Sequence, residues 1–146
     1  MPDADKTRLG RTVVQPAGHT LPIGRYSPAI AVPFDGSRSL VFVSGQVSSD
    51  AEGRVIGAGD AALQTETVFR LLAEVLKEAG GSLSDLVSVV VYLADMGDFA
   101  AVSAVRNQVL AEAGAAPSST LVEVSSLAVA DHLVEISGVA VVHGRG

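Results

Sequence analysis

Two helix-forming segments alternate with strand-forming segments along the chain, and this order constrains the fold more than any other feature. Residues 60–79 carry apolar side chains at intervals of three or four residues, which predicts an amphipathic helix. Asp60 is placed to cap its first turn, and Gly80 and Gly81 are placed to end it. After residues 95–98 a second helix is predicted, with one apolar face made by Phe99, Val102, Val105, Val109 and Leu110. Strands are predicted at residues 11–15, 29–32, 40–47, 86–93, 121–124 and 133–142.

This order predicts one sheet with both helices on the same face, because crossover connections between parallel strands are right-handed. The run at residues 86–93 is apolar almost throughout, which is typical of a strand covered on both faces. No helix remains to cover the opposite face of the sheet, so we expect other subunits to cover it. The fold class is therefore α/β (α+β), with a loose tail at residues 1–10 and a single domain at residues 11–146.

Composition argues against several classes of function. The chain has 10 basic and 16 acidic residues among 146, a net charge of −6, which works against binding to nucleic acid. It has no cysteine, and its three histidines do not pair at metal-binding spacing, so we expect no metal site. No apolar run approaches the roughly 18 residues of a membrane span. No signal-peptide pattern is visible at the N-terminus either, so the sequence predicts a cytoplasmic protein with no membrane partner.

Five segments together resemble one known family. They are Gly24-Arg25-Tyr26-Ser27-Pro28-Ala29-Ile30, the strand at residues 40–47, the corner at residues 95–99, residues 117–124 and residues 133–136. In this order and at this spacing they resemble the Rid (YjgF/YER057c/UK114) family of reactive-intermediate deaminases. The resemblance covers roughly residues 20 to 143. It implies a chorismate-mutase-like fold and a homotrimer whose sheets form an inner barrel, with a ligand cleft at each subunit interface.

The resemblance also implies a chemistry. Family members with the best-known activity hydrolyse 2-imino or 2-enamino acids to 2-oxo acids and ammonia, with no metal and no cofactor. Such a reaction needs a cation for the substrate carboxylate, backbone donors that orient the substrate, and a positioned water that attacks the imine carbon. A carboxylate side chain near that water manages its proton.

The resemblance assigns roles to particular residues. Glu135 matches the acidic residue near the attacking water, Tyr26 matches the cleft tyrosine, and Ser44 and Gly45 match the segment whose backbone lines the site. Ser119 stands where the family has the arginine that holds the carboxylate, and this departure argues against efficient deamination of common 2-imino acids. The remaining substrate-binding candidates are Thr120 and the unusually apolar Leu121, with Arg25 and Arg106 as substitutes for the missing cation.

Each candidate also has a purely structural interpretation. Glu135 alternates with apolar neighbours and fits an outward-facing strand position, Tyr26 fits ordinary packing, and Gly45 fits a bulge. An arginine at position 25 or 106 is most simply a solvated side chain. His132, next to Asp131 in a turn, is interpreted as a surface residue.

Two functions from different classes follow. The first is an enzyme, a cofactor-free hydrolase or deaminase that acts on an imine, an enamine or a related small metabolite; Glu135 and Tyr26 favour it. The second is a non-catalytic trimer that binds a small molecule and regulates; Ser119 and Leu121 favour it. Endoribonuclease or translation-inhibitor activity, which is also attributed to members of this family, ranks last because a net charge of −6 opposes binding to RNA.

Overall fold

Six strands form one mixed sheet in the computed structural model, which describes residues 10–143. The predicted tail lies outside these residues except for Gly10. Along the chain the elements are β1 (Thr12–Val14), β2 (Ala29–Pro33), β3 (Arg38–Val47), helix α1 (Ala61–Glu78), β4 (Leu86–Leu93), helix α2 (Phe99–Glu112), β5 (Ser118–Glu123) and β6 (Val134–His143). The strand order is β1-β2-β3-β6-β4-β5, and only β4 and β5 run parallel. The predicted mixed α+β fold with two helices is confirmed.

The predicted limits of helix α1 are also confirmed. The Asp60 side chain accepts a hydrogen bond from the Leu63 backbone N–H at 3.0 Å, which satisfies one of the free donors of the first turn. Gly80 follows the last turn with φ of 94°, a left-handed conformation that favours glycine. Within residues 10–143, no helix is both long enough and apolar enough to cross a membrane.

Both helices contribute to one hydrophobic core on one side of the sheet. Phe69, Leu72 and Leu76 of α1 and Val102 and Leu110 of α2 pack in the same cluster as the buried strand residues. Phe99 differs from the prediction: its side chain is 45% exposed, so it does not face the core. It is the first residue of α2, where the chain has only just left the preceding turn.

The opposite face of the sheet is apolar and uncovered within one subunit. Strand pairing places Phe42 beside Val139 and Tyr92 beside Val122 on this face. Phe42 is 48% exposed and Val122 is 40% exposed. The prediction that β4 is covered on both faces therefore does not hold inside a single chain, because the helices cover only one of them.

Candidate functional site

A cleft of about 430 Å³ opens where β3 and β6 meet the segment between β1 and β2. Helix α1 supplies the remaining wall. Four of the site residues predicted from the sequence line this cleft: Tyr26, Ser44, Gly45 and Glu135. They come from three separate parts of the chain, and the strand pairing brings them together.

Glu135 is the acidic group at the centre of this arrangement. It lies on β6 and pairs with Val47 of β3 and Tyr92 of β4. Burial raises the pKa of its carboxyl above the ordinary value, because a charged carboxylate is less favourable away from water. A carboxyl of this kind accepts and returns a proton more readily near neutral pH than a solvated one.

Gly45 makes room for that carboxyl. The pairing of β3 with β6 shifts register between Val43 and Gln46, so Gly45 lies in a bulge. A Cβ atom at this position would lie 2.8 Å from Cδ of Glu135, closer than real side chains approach. The bulge in β3 thus brings the backbone of Gly45 against the Glu135 side chain and leaves the space in the cleft that the carboxyl occupies.

Gly45→Ala tests this relation. We expect the added methyl group to push the Glu135 carboxyl out of position and to reduce any Glu135-dependent activity at least tenfold. Stability should change by only about 1 kcal/mol, because a flexible side chain can rotate away. Thermal unfolding and kinetics of the same preparation separate the two effects. A fully active Gly45→Ala would contradict the assignment.

Ser44 has a supporting position. Its hydroxyl donates to the backbone carbonyl of Ser27 at 2.6 Å, and its backbone N–H donates to the carbonyl of Pro28 at 2.8 Å. Both bonds fix the segment that follows Tyr26 against β3. The Tyr26 side chain itself is 54% exposed, so it is not an ordinary core residue.

The other candidate residues lie elsewhere in the subunit. Arg106, Ser119 and Leu121 line a second concavity of about 460 Å³ between α2 and β5. Thr120 and Arg25 line neither cavity. One chain therefore brings only part of the expected site into its cleft and leaves the Ser119 region at another surface.

Arg106 lines the same concavity as Ser119. Its Nη2 donates to the Ser103 hydroxyl at 2.9 Å, and its Nε donates to the Asn107 side-chain oxygen at 3.2 Å. Both partners are neutral, and among residues 10–143 the guanidinium has no acidic partner. Its charge is available to an anion at this surface.

The sequence interpretation missed a charged cluster in the cleft wall. His19, in the segment between β1 and β2, contacts the carboxylate of Glu74 on α1, and Arg70 donates to the same carboxylate at 3.0 Å. Burial acts to raise the pKa of Glu74, but the hydrogen bonds from His19 and Arg70 outweigh it and lower the pKa. The spacing of Arg70 and Glu74 by four residues was the only sequence signal, whereas the contact with His19 spans 55 positions.

His132 is not a surface residue, and that interpretation was wrong. It is 4% exposed, it lines the cleft, and its Nε2 lies 3.1 Å from the Ser49 hydroxyl. Gln64, fully buried on α1, holds the turn around it: the Gln64 amide donates to the carbonyl of Asp131 at 2.9 Å and accepts from the N–H of Leu133 at 2.8 Å. A single histidine in a predicted turn does not indicate that a buried glutamine fixes the turn on both sides of it.

Comparison with known proteins gives consistent results. A family model described as endoribonuclease L-PSP matches residues 17–142. A RutC family protein of Pyrococcus abyssi is 40% identical over 119 residues, which is 82% of this chain and 87% of that protein. The 3-aminoacrylate deaminase RutC of Acinetobacter baylyi is 33% identical over 132 residues, which is 90% of this chain and 98% of that protein. The crystal structure of E. coli TdcF with bound serine aligns with a TM-score of 0.76 at 26% identity, covering 92% of this chain and 99% of TdcF.

The family-model match, at residues 17–142, extends over β2 to β5, nearly all of β6 and both helices, and it includes the residues that line the cleft. The similarity is therefore not confined to a single motif. The chain belongs to the endoribonuclease L-PSP family, which is the Rid family that its sequence resembles.

Proposed function

We propose that this protein catalyses cofactor-free hydrolytic deamination of a small enamine or imine. The observation that carries the proposal is the Glu135 carboxyl, which lines the cleft, has its pKa raised by burial, and occupies space that only a glycine at position 45 leaves open. A deaminase of this kind needs a proton-accepting group beside a bound water, and Glu135 meets that need.

The reaction can be written with this chain's own groups. Water attacks the imine carbon, and the Glu135 carboxylate takes one of its protons. Glu135 returns that proton to the nitrogen, so that the carbon carries a hydroxyl and an amino group. Glu135 then moves the hydroxyl proton to the amino nitrogen, the C–N bond breaks, and ammonia leaves as the carbonyl forms. An enamine first takes a proton on carbon to become the imine. The relative named 3-aminoacrylate deaminase and the serine bound to TdcF both support a small amino-acid-like substrate.

The complete site is proposed to lie between subunits of a homotrimer. Glu135 lies in the cleft, whereas Ser119 and Arg106 lie at another surface of the same chain. In a closed ring each subunit presents one surface to the different surface of its neighbour, which joins the two parts. Burial of the uncovered apolar face, which includes Phe42 and Val122, favours the association of subunits.

Light scattering tests the assembly directly. We expect a mass three times the 14.8 kDa of the chain at micromolar concentration. Val139→Glu, on the uncovered face, should lower the mass, because it places a charge within an apolar interface. A wild-type protein with the mass of one chain would contradict the trimer and the shared cleft.

Arg106 is proposed to hold the substrate carboxylate. Ser119 provides a hydroxyl but no charge, whereas the Arg106 guanidinium in the same concavity has a full charge and, among residues 10–143, only neutral hydrogen-bond partners. Arg25 is the weaker candidate, since it is exposed and lines neither cavity.

The alternative is a trimer that binds a small molecule without turning it over. The absence of an arginine at position 119 and the apolar Leu121 favour it. Ribonuclease activity has less support, because a net charge of −6 opposes a phosphate backbone.

Release of ammonia and 2-oxo acid from freshly generated 2-imino acids distinguishes these functions. We expect the wild-type protein to accelerate release above the uncatalysed rate. No acceleration in the wild type and in Ser119→Arg, with the trimer intact, would favour the binding protein.

A further inference from the structure

A serine and a histidine that the deamination does not use lie side by side in the cleft. Ser49 follows the end of β3, and His132 lies in the turn before β6. The Ser49 hydroxyl is 3.1 Å from Nε2 of His132, and both residues line the 430 Å³ cavity. The hydroxyl is half-buried and the imidazole is buried, so the hydroxyl lies nearer the open space.

The histidine is held in a form that can accept a proton. Burial lowers the pKa of His132, against the opposing effects of a backbone hydrogen bond with Ser48 and of the Asp131 charge, so the ring is neutral at pH 7. The Ser49 hydroxyl lies within hydrogen-bond distance of Nε2 and donates to it in the tautomer that carries its proton on Nδ1. The hydrogen bonds of Gln64 on both sides of His132 limit its movement.

A serine hydroxyl within hydrogen-bond distance of a neutral imidazole is the pair of nucleophile and base used in covalent catalysis by serine. We propose that Ser49 is a nucleophile activated by His132, which accepts acyl groups from small activated esters or thioesters that enter the cleft. In this step the Ser49 oxygen bonds to the acyl carbon and its proton passes to Nε2 of His132. The bond to the alcohol or thiol breaks, and that leaving group takes the proton from His132. Water releases the acyl group by the same route.

This second centre is separate from Glu135. Val47 pairs with Glu135, and Ser49 lies two residues further along the chain. The proposal therefore does not depend on the deamination, and each activity can be tested without the other.

Acetylation by p-nitrophenyl acetate tests the proposal on the full-length protein. We expect nitrophenol release together with one acetyl group per chain, located on Ser49 by peptide mass mapping. Ser49→Ala should lose the adduct, and His132→Gln should slow its formation about a hundredfold, the usual contribution of a general base.

Matched controls are available in the same chain. Ser125→Ala and His143→Gln change exposed residues that line neither cavity and should react as the wild type does. If His132→Gln fails to fold, Ser49→Ala alone decides, since it removes one atom from a half-buried position. Acetylation elsewhere, or an equal rate of adduct formation in Ser49→Ala, would overturn the proposal. In that case the hydroxyl serves only as the hydrogen-bond partner of a buried imidazole.

Discussion

Replacing Glu135 with glutamine is expected to slow imine hydrolysis by about a hundredfold to ten-thousandfold, the usual contribution of a general acid or base. Glutamine has nearly the same shape but cannot take a proton from water. KM should change little, because the proposed carboxylate anchor is elsewhere. Steady-state kinetics of ammonia release from a freshly generated 2-imino acid measure the effect.

The pH dependence provides a second measure of the same group. The carboxylate form is the base, so kcat/KM should rise with pH through the pKa of Glu135, which burial places above its ordinary value. This rise of kcat/KM with pH should be absent in Glu135→Gln. Glu66→Gln, on the exposed side of α1, is the matched control and should keep both rate and profile. An unchanged rate in Glu135→Gln would remove the residue from the mechanism.

Removal of the Arg106 guanidinium is expected to have the second large effect. A buried carboxylate that loses its charged partner loses about 2–5 kcal/mol, which corresponds to about thirtyfold to a few thousandfold in kcat/KM. Arg106→Ala should show this loss with a 2-imino acid. With the corresponding neutral imino ester, which has no carboxylate, wild type and variant should be similar.

A second substitution sharpens the test. Ser119→Arg returns a guanidinium to the same concavity, so the double variant Arg106→Ala/Ser119→Arg should recover most of the lost kcat/KM. Arg25→Ala should behave as the wild type. The assignment of Arg106 fails if Arg106→Ala has wild-type kinetics, and this outcome leaves the deamination itself intact.

The fold was accessible from the sequence because local patterns determine it. Residues 60–79 repeat apolar side chains with helical spacing, and the structure places α1 at Ala61–Glu78. The predicted strand at residues 86–93 coincides with β4. Phe99 was misplaced because the periodic pattern does not show where a turn ends and the helix begins.

The site was only partly accessible because its parts are far apart in the sequence. The resemblance identified Glu135 and Gly45, but only the structure shows that a side chain at position 45 would collide with Glu135. The contact between His19 and Glu74 and the anchoring of His132 by Gln64 join residues 55 or more positions apart. No periodicity or short motif encodes such contacts, so they depend on the packed fold.

Subunit complementation tests the central claim, a deaminating cleft shared between neighbouring chains, most directly. Glu135→Gln and Arg106→Ala are each expected to be nearly inactive alone. In an equal mixture reassembled into trimers, about one cleft in four combines an intact Glu135 from one chain with an intact Arg106 from its neighbour. The account predicts recovery of about a quarter of wild-type ammonia release. A mixture no more active than the separate variants would contradict the shared cleft.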